Sequence, residues 1–424
     1  MKNNKQIQTP LVAIDPGSFS LKAMAAVSTS NPDGPLQLLG VEESRKTDCI
    51  TQGRITNTSS TGYLLSETLK LLANRTQQIG SFPTAFACIG GKSMGSVSIP
   101  AKRSFKYRRP VISHSVIEDM IDECKSKFKQ RNPNYSLIAI QPSYFQIDDV
   151  FFPGPELPIG TRGENIHSLF TSFYGDNRML DEAQSSFARS RAELESVFPR
   201  PMALLEALAS EEDEQLGLAI IDFGAETTTT TVYKRGEYLK HKVVPLGGKH
   251  ITSDISQMHI SWQNAEALKT RYGVASEAYL KKNPTFDIKS SVEGEPNVRM
   301  PMALLTEIIN SRLDEILTEP LKILQQYEKD ISVVYITGGA SKLKNLVDYL
   351  GQLISIPVCY GSHDVWLDEN TPEEFFAPDY SALVGTLLLA RKYRKTHDAP
   401  EQKKKNDRLG SMVNKVVDLF TDQQ

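Results

Sequence analysis

The sequence is poor in cysteine, has no long apolar run and carries no surplus of positive charge, and each shortage removes a class of protein. Its four cysteines, Cys49, Cys88, Cys124 and Cys359, lie far apart with no CxxC pair. Neither a zinc site nor a disulfide framework is therefore indicated, and a reducing cytosol suits such usage. No segment reaches the roughly 20 apolar residues that span a bilayer, and the first residues hold no apolar run of secretory-leader length. The expectation is a soluble, cytoplasmic chain. Lys and Arg number 48 against 51 Asp and Glu, a net charge of -3, which leaves no general case for nucleic-acid binding.

What is present is length. A chain of 424 residues exceeds what one core usually supports, so several domains or one large two-lobed unit is expected. Charge is unevenly spread: Lys and Arg crowd the stretch from Arg391 to Lys415, which leaves the rest of the chain acidic.

Three segments share one punctuation, a run of apolar or β-branched residues ending in a Gly-containing turn: "LVAIDPGSFSLKAM", "LAIIDFGAETTTTTVY" and "SVVYITGGASKLKNL". In the first two an Asp closes the run, a Gly follows two residues on, and a second run resumes, which predicts hairpins. In the third the glycines open a helix, with Leu343, Leu346, Val347 and Leu350 on one face. Glycine at such turns lets backbone N–H groups approach an anion, and an adjacent Asp can hold Mg²⁺ directly or through water. One Asp-x-Gly is an ordinary hairpin turn; two of them followed by a Gly-Gly turn, in this order, are far more specific. Elsewhere "SETLKLLA", "SVIEDMIDECKSKF" and "MLDEAQSSFARSRAEL" read as helices and "YSLIAIQPSYFQIDDVFF" as strand. "FPRPMALLEALAS" starts a helix near Pro201, and Pro320 is expected to break or kink the long amphipathic stretch from Met302.

On these motifs the chain resembles the actin-like ATPase superfamily and, within it, the FtsA family of bacterial cell-division proteins. The phosphate hairpins look like Asp15-Pro16-Gly17-Ser18 and Asp222-Phe223-Gly224, and the adenosine motif like Thr337-Gly338-Gly339-Ala340-Ser341. "VPLGGKHITSDIS", "NAEALKTRYG" and "ELPIGTRGENIHSLF" are similar to further segments of that family, Ile166 standing where a leucine is usual. The resemblance implies an α/β, two-lobed actin-like ATPase fold with an FtsA-type displaced small subdomain. Its division would be 11–83, first lobe; 84–174, the displaced subdomain; 175–215, the return to the first lobe; 216–247, second lobe; 248–330, a second small subdomain that docks a partner; and 331–390, the rest of the second lobe.

ATP and Mg²⁺ are the implied cofactors. Asp15 and Asp222 would hold the metal or its waters; Gly17, Ser18, Gly224 and Thr227 would contact phosphates. Glu266 and Lys269, three residues apart on one helix face, would touch ribose and adenine, and Gly338, Gly339 and Ser341 would line the adenosine. The plainer reading of Glu266 and Lys269 is a surface ion pair worth under ~1 kcal/mol. Lys22 reads as a solvated or interface lysine rather than a phosphate ligand. No water-orienting catalytic residue is assigned.

Two departures stand out. Pro16 removes a donor from the first hairpin. The family's Gly-Gly-Thr is replaced by Ala225 and Glu226 before Thr227, and a carboxylate beside a triphosphate is costly unless Mg²⁺ or a Lys lies between. Either Glu226 points away, or it assists the metal or water, or hydrolysis is weak; at most a weak ATPase is expected. The five threonines after it have high strand propensity, with Thr227, Thr229 and Thr231 on one face and Thr228 and Thr230 on the other.

The end of the chain carries a separate signal. A basic linker, 391–408, leads to 409–424, where Leu409, Met412, Val413, Val416, Leu419 and Phe420 form one helical stripe. A short amphipathic helix behind Lys and Arg reads as an anchor on an anionic membrane surface. With the resemblance, this implies a protein at the cytoplasmic face of the bacterial inner membrane and the division septum, which polymerises and binds the C-terminal tail of FtsZ, with no nucleic-acid partner. A pilus-assembly relative of FtsA and a small-molecule kinase of the same superfamily are the rival readings; the kinase lacks a visible acidic base.

Overall fold

The computed structural model describes residues 9–45, 47–77, 82–154, 157–280 and 282–397. The expected membrane stripe from Leu409 to Phe420 lies outside the described residues, as does most of the linker. The first lobe opens with β1 (Leu11–Pro16), β2 (Leu21–Ser28) and β3 (Leu36–Ser44), then a small hairpin of β4 (Ile50–Thr51) and β5 (Arg54–Ile55), α1 (Thr58–Arg75) and β6 (Thr84–Ile89). A separate layer follows: β7 (Gly95–Ser104), α2 (His114–Arg131), β8 (Tyr135–Ile147), β9 (Val150–Pro153) and β10 (Asn165–Asp176). The chain returns through α3 (Arg178–Ser190), β11 (Glu193–Pro199) and α4 (Arg200–Leu208).

After α5 (Glu211–Leu216) the second lobe repeats the plan with β12 (Leu218–Phe223), β13 (Thr228–Lys234) and β14 (Glu237–Val244). Then come α6 (Gly248–Ser256), α7 (Trp262–Tyr272), a β15 (Thr285–Ile288) and β16 (Val298–Pro301) hairpin, and α8 (Met302–Gln326). The lobe closes with β17 (Val333–Thr337), α9 (Leu346–Leu353), β18 (Val358–Tyr360) and α10 (Ser381–His397).

The two large sheets run β11-β6-β1-β2-β3 and β14-β13-β12-β17-β18. In each, an antiparallel three-stranded meander pairs through its first strand, β1 or β12, with a parallel neighbour, β6 or β17. Those first strands are buried at every position, which is why "LVAI" and "LAII" read as unbroken apolar runs rather than alternating ones. Both carry an Asp as the last residue but one, so the repeated plan puts the two carboxylates at equivalent strand ends facing one crevice. Between the sheets lie α4 and α10, whose Leu204, Leu208, Leu383 and Leu387 join one core. Their backbones touch: a Cβ on Gly385 would stand 1.7 Å from the Ala203 carbonyl oxygen. The layer of β7-β10-β8-β9 packs its own core of Phe128, Phe145 and Phe170 under α2.

Three expectations are corrected. α8 is not broken at Pro320 but continues as one helix to Gln326, because the proline is buried with Ile316, Leu317, Ile323 and Leu324, whose packing offsets the missing hydrogen bond. The Gly-Gly turn opens only a single 3₁₀ turn, Gly339–Lys342; Asn345, at φ 60°, interrupts the chain before α9. The basic segment after 390 does not begin as a linker, since α10 continues to His397. There Arg391 donates to Gly34 O (2.6 Å) and Arg394 pairs with Glu195 (2.6 Å). Among the described residues no helix is long and apolar enough to cross a membrane.

Candidate functional site between the lobes

The crevice is built from strand ends. At the end of β1 the Gly17 N–H closes its hairpin by donating to Asp15 O (3.0 Å) and Ser20 O (3.1 Å); at the end of β12 the Gly224 N–H donates to Thr227 O (2.9 Å). The third motif comes in from β17, parallel to β12, with Thr337 opposite Asp222. Gly338 there has φ 89°, and a Cβ on it would lie 2.4 Å from Asp222 Oδ1 and 2.5 Å from Phe223 O. Only glycine permits that approach. Positions more than 300 residues apart in sequence thus meet at one place.

The cluster expected to face adenosine is compact. The Lys269 ammonium donates to Gly248 O (2.9 Å), Thr252 Oγ1 (2.8 Å) and Glu266 Oε2 (2.7 Å). Glu266 and Lys269 are largely buried, so they are not the surface pair of the plainer reading. Burial lowers the Lys269 pKa, against the raising effect of Glu266. A Cβ on Gly248 would approach Ala340 Cβ to 2.9 Å and Lys269 Nζ to 3.6 Å, so this cluster adjoins the Gly338-Gly339 turn. Ser341 is buried and its hydroxyl donates to Gly338 O (2.6 Å), shaping the turn from inside. Gly339 is open: a Cβ there would meet only Asp379 Cβ, at 3.8 Å.

Around the two hairpins the polar groups are paired across the lobes. Asp15 and Asp222, 6% and 5% exposed, are bridged by Arg200 from the start of α4: Nη1 donates to Asp15 Oδ1 and Nε to Asp222 Oδ2, both at 2.6 Å. Burial opposes the charge on Arg200, but the two carboxylates outweigh it and hold the guanidinium pKa well above its ordinary value. Glu226 accepts from the Gln52 N–H (2.7 Å) and from Lys249 Nζ (2.8 Å), and Lys249 also donates to Ser18 O (2.7 Å). Its charge therefore points across the crevice into the first lobe, with a lysine beside it. The Ser18 hydroxyl accepts from the Gly53 N–H (2.9 Å). Lys22 is buried on Asp379 (2.6 Å), which also pairs with Lys342 (2.6 Å), so it is an interface lysine and not a solvated one. Burial favours the neutral acid at Asp379, yet the two lysines outweigh it and keep its pKa low.

The threonines behave as a strand. Thr228 donates to Leu246 O (2.9 Å) on one face, while Thr229 and Thr231 line a cavity of about 10 Å³ beside Arg200 and Asp222 on the other. Thr227 lies at the turn, its carbonyl closing the hairpin.

Residues 219–385 match the family model described as cell division protein FtsA. The FtsA of Enterococcus faecalis is 29% identical over 230 residues, covering 53% of this chain and 51% of that protein. The FtsA of Pseudomonas aeruginosa is 22% identical over 384 residues, 89% of this chain and 88% of that one. The chain is FtsA-like. It spans about half the length of the Enterococcus relatives that it matches. Among solved structures, the PilM-PilN type IV pilus biogenesis complex superposes with a TM-score of 0.63 at 16% identity, covering 89% of this chain and 97% of the other. MreB5 of Spiroplasma citri bound to ADP superposes with a TM-score of 0.55 at 12% identity, covering 92% and 98%. At these identities the likeness establishes the fold, a two-lobed actin-like one.

Set beside FtsA motifs, the residues that sequence reasoning missed are Arg200, Lys249, Gln52 and Asp379. Arg200 did leave a signal: it is the single charge in "FPRPMALL", a Pro-flanked apolar helix start. A cation there meets the positive end of the helix dipole, so something other than helix preference must hold it.

Proposed function

We infer that the chain acts as an FtsA-like division protein: it binds ATP between its lobes, polymerises at the inner membrane and ties FtsZ filaments to it. The observation that supports this most is the convergence of the Asp15 hairpin, the Asp222 hairpin, the Gly338-Gly339 turn and the Glu266-Lys269 pair on one crevice. Bound nucleotide would bring negative phosphates to the two hairpins, and the lobes would close on it because the closed form binds it better. In this reading 84–174 is the displaced small subdomain. The 248–330 region docks the FtsZ tail, and 409–424 lies on anionic lipid.

The test is co-sedimentation of the full chain with anionic liposomes and a labelled FtsZ C-terminal peptide. Peptide and protein should pellet together, and deletion of Leu409 to Gln424 should leave both in the supernatant. Unchanged pelleting of the truncated chain would sink the anchor. Absence of peptide binding would sink the FtsZ role and favour a pilus-assembly type of partner.

A further inference from the structure

We propose that Arg200 stands where a divalent cation would stand between the two phosphate hairpins, so that this crevice joins its lobes, and takes its nucleotide, without a metal ion. The nucleotide half rests on the reading above; the metal half does not.

The donor set is the first ground. Mg²⁺ is held by carboxylates at about 2.0–2.1 Å and keeps several of its waters. Here the inner oxygens of Asp15 and Asp222 are both taken by one guanidinium at 2.6 Å, each carboxylate almost wholly buried. The other oxygen of Asp222, Oδ1, is buried without a hydrogen-bond partner among the described residues, and a Cβ on Gly338 would stand 2.4 Å from it. The adjoining cavity of about 10 Å³ has room for about one water, not for a hydrated ion.

Positioning is the second ground. Arg200 is the first residue of α4, where the helix dipole disfavours a cation, yet the neighbouring backbone makes room for it. A Cβ on Gly90 would meet the Arg200 side chain at 3.1 and 3.2 Å. Arginine suits the task because it stays charged at any physiological pH and reaches two carboxylates with a rigid fork.

Charge balance is the third. Arg200, Lys249, Lys22 and Lys342 face Asp15, Asp222, Glu226 and Asp379, four cations against four anions in paired contacts. These eight side chains sum to zero with no ion added.

The experiment measures ATP binding to the full chain by calorimetry in MgCl2 and in EDTA, alongside Mn²⁺ binding without nucleotide by electron paramagnetic resonance. Wild type should bind ATP within about twofold in the two buffers and should leave Mn²⁺ free. Arg200→Gln removes the charge and keeps a shorter polar side chain; it should lose about tenfold or more of its ATP affinity in EDTA, regain it in MgCl2, and bind Mn²⁺. Arg200→Lys, which keeps the charge but not the fork, should retain more ATP affinity in EDTA than Arg200→Gln and guards against a folding defect in the first variant. ATP binding by wild type only in MgCl2, or Mn²⁺ bound by wild type, would overturn the proposal. If ATP binds in neither buffer, the nucleotide reading fails, and the Mn²⁺ comparison alone decides whether Arg200 replaces the ion.

Discussion

The Glu226–Lys249 pair offers the most direct measurement of how firmly this crevice is closed by its own side chains. The perturbation is a double-mutant cycle of Glu226→Gln and Lys249→Met, which remove one charge each and keep the length of the side chain. Glu226 is 18% and Lys249 29% exposed, between a surface pair worth about 0–1 kcal/mol and a buried pair that costs about 3–5 kcal/mol to break from one side. Each single change should therefore cost about 2 kcal/mol. Lys249→Met leaves the carboxylate with only the Gln52 N–H, and Glu226→Gln leaves the ammonium with Ser18 O. The double variant loses the same contact once and leaves no charge alone, so the coupling energy should be about 1–2 kcal/mol. Urea unfolding followed by tryptophan fluorescence is the assay, because Trp366 packs beside α4 and donates from Nε1 to Ala207 O (3.1 Å). Additivity within about 0.3–0.5 kcal/mol would refute the coupling of Glu226 to Lys249.

The other predictions concern separate parts of the fold. Gly338→Ala forces a side chain into φ 89° and against Asp222, so it should lower the melting temperature by several degrees and weaken ATP binding together. Loss of neither would show that the turn relaxes. Lys269→Met removes the cation that joins Gly248, Thr252 and Glu266, and ATP affinity should fall about tenfold, read by calorimetry; unchanged affinity would remove this cluster from the site. His241 is held neutral by burial, its pKa lowered from 6.5 to about 4. The unfolded chain takes up that proton below about 6.5 while the folded chain does not until about 4, so this contribution is complete above that window and is lost as pH falls through it. A loss of about 3 kcal/mol is expected across the window, and His241→Asn should flatten the melting-temperature profile there. An equally steep profile in the variant would locate the effect elsewhere.

Much of the site was legible because its signals are local. "LVAIDPG" and "LAIIDFG" show a buried strand ending in Asp and a turn, and both are built so. The threonine tract reads as a strand with alternating faces, and Thr229 and Thr231 do share one of them. Less legible were continuities decided by packing: α8 passes Pro320 because its buried face outweighs one lost hydrogen bond, and α10 runs on past Ala390 because Arg391 and Arg394 find acceptors in the first lobe. Of the two partners of Glu226, Lys249 lies nearby in "VPLGGKHITSDIS", but Gln52 comes from a different lobe, 174 positions away.

From sequence alone came the α/β class, the two Asp-ended hairpins, the Gly-Gly turn and the spacing of Glu266 and Lys269, all properties of a few consecutive residues. Only the tertiary structure decided how the charges pair: Lys22 with Asp379, 357 positions apart, and Arg200 with Asp15, 185 apart. Periodicity and turn chemistry act within a window of a few residues, whereas an ion pair depends on which distant strand ends the fold brings face to face.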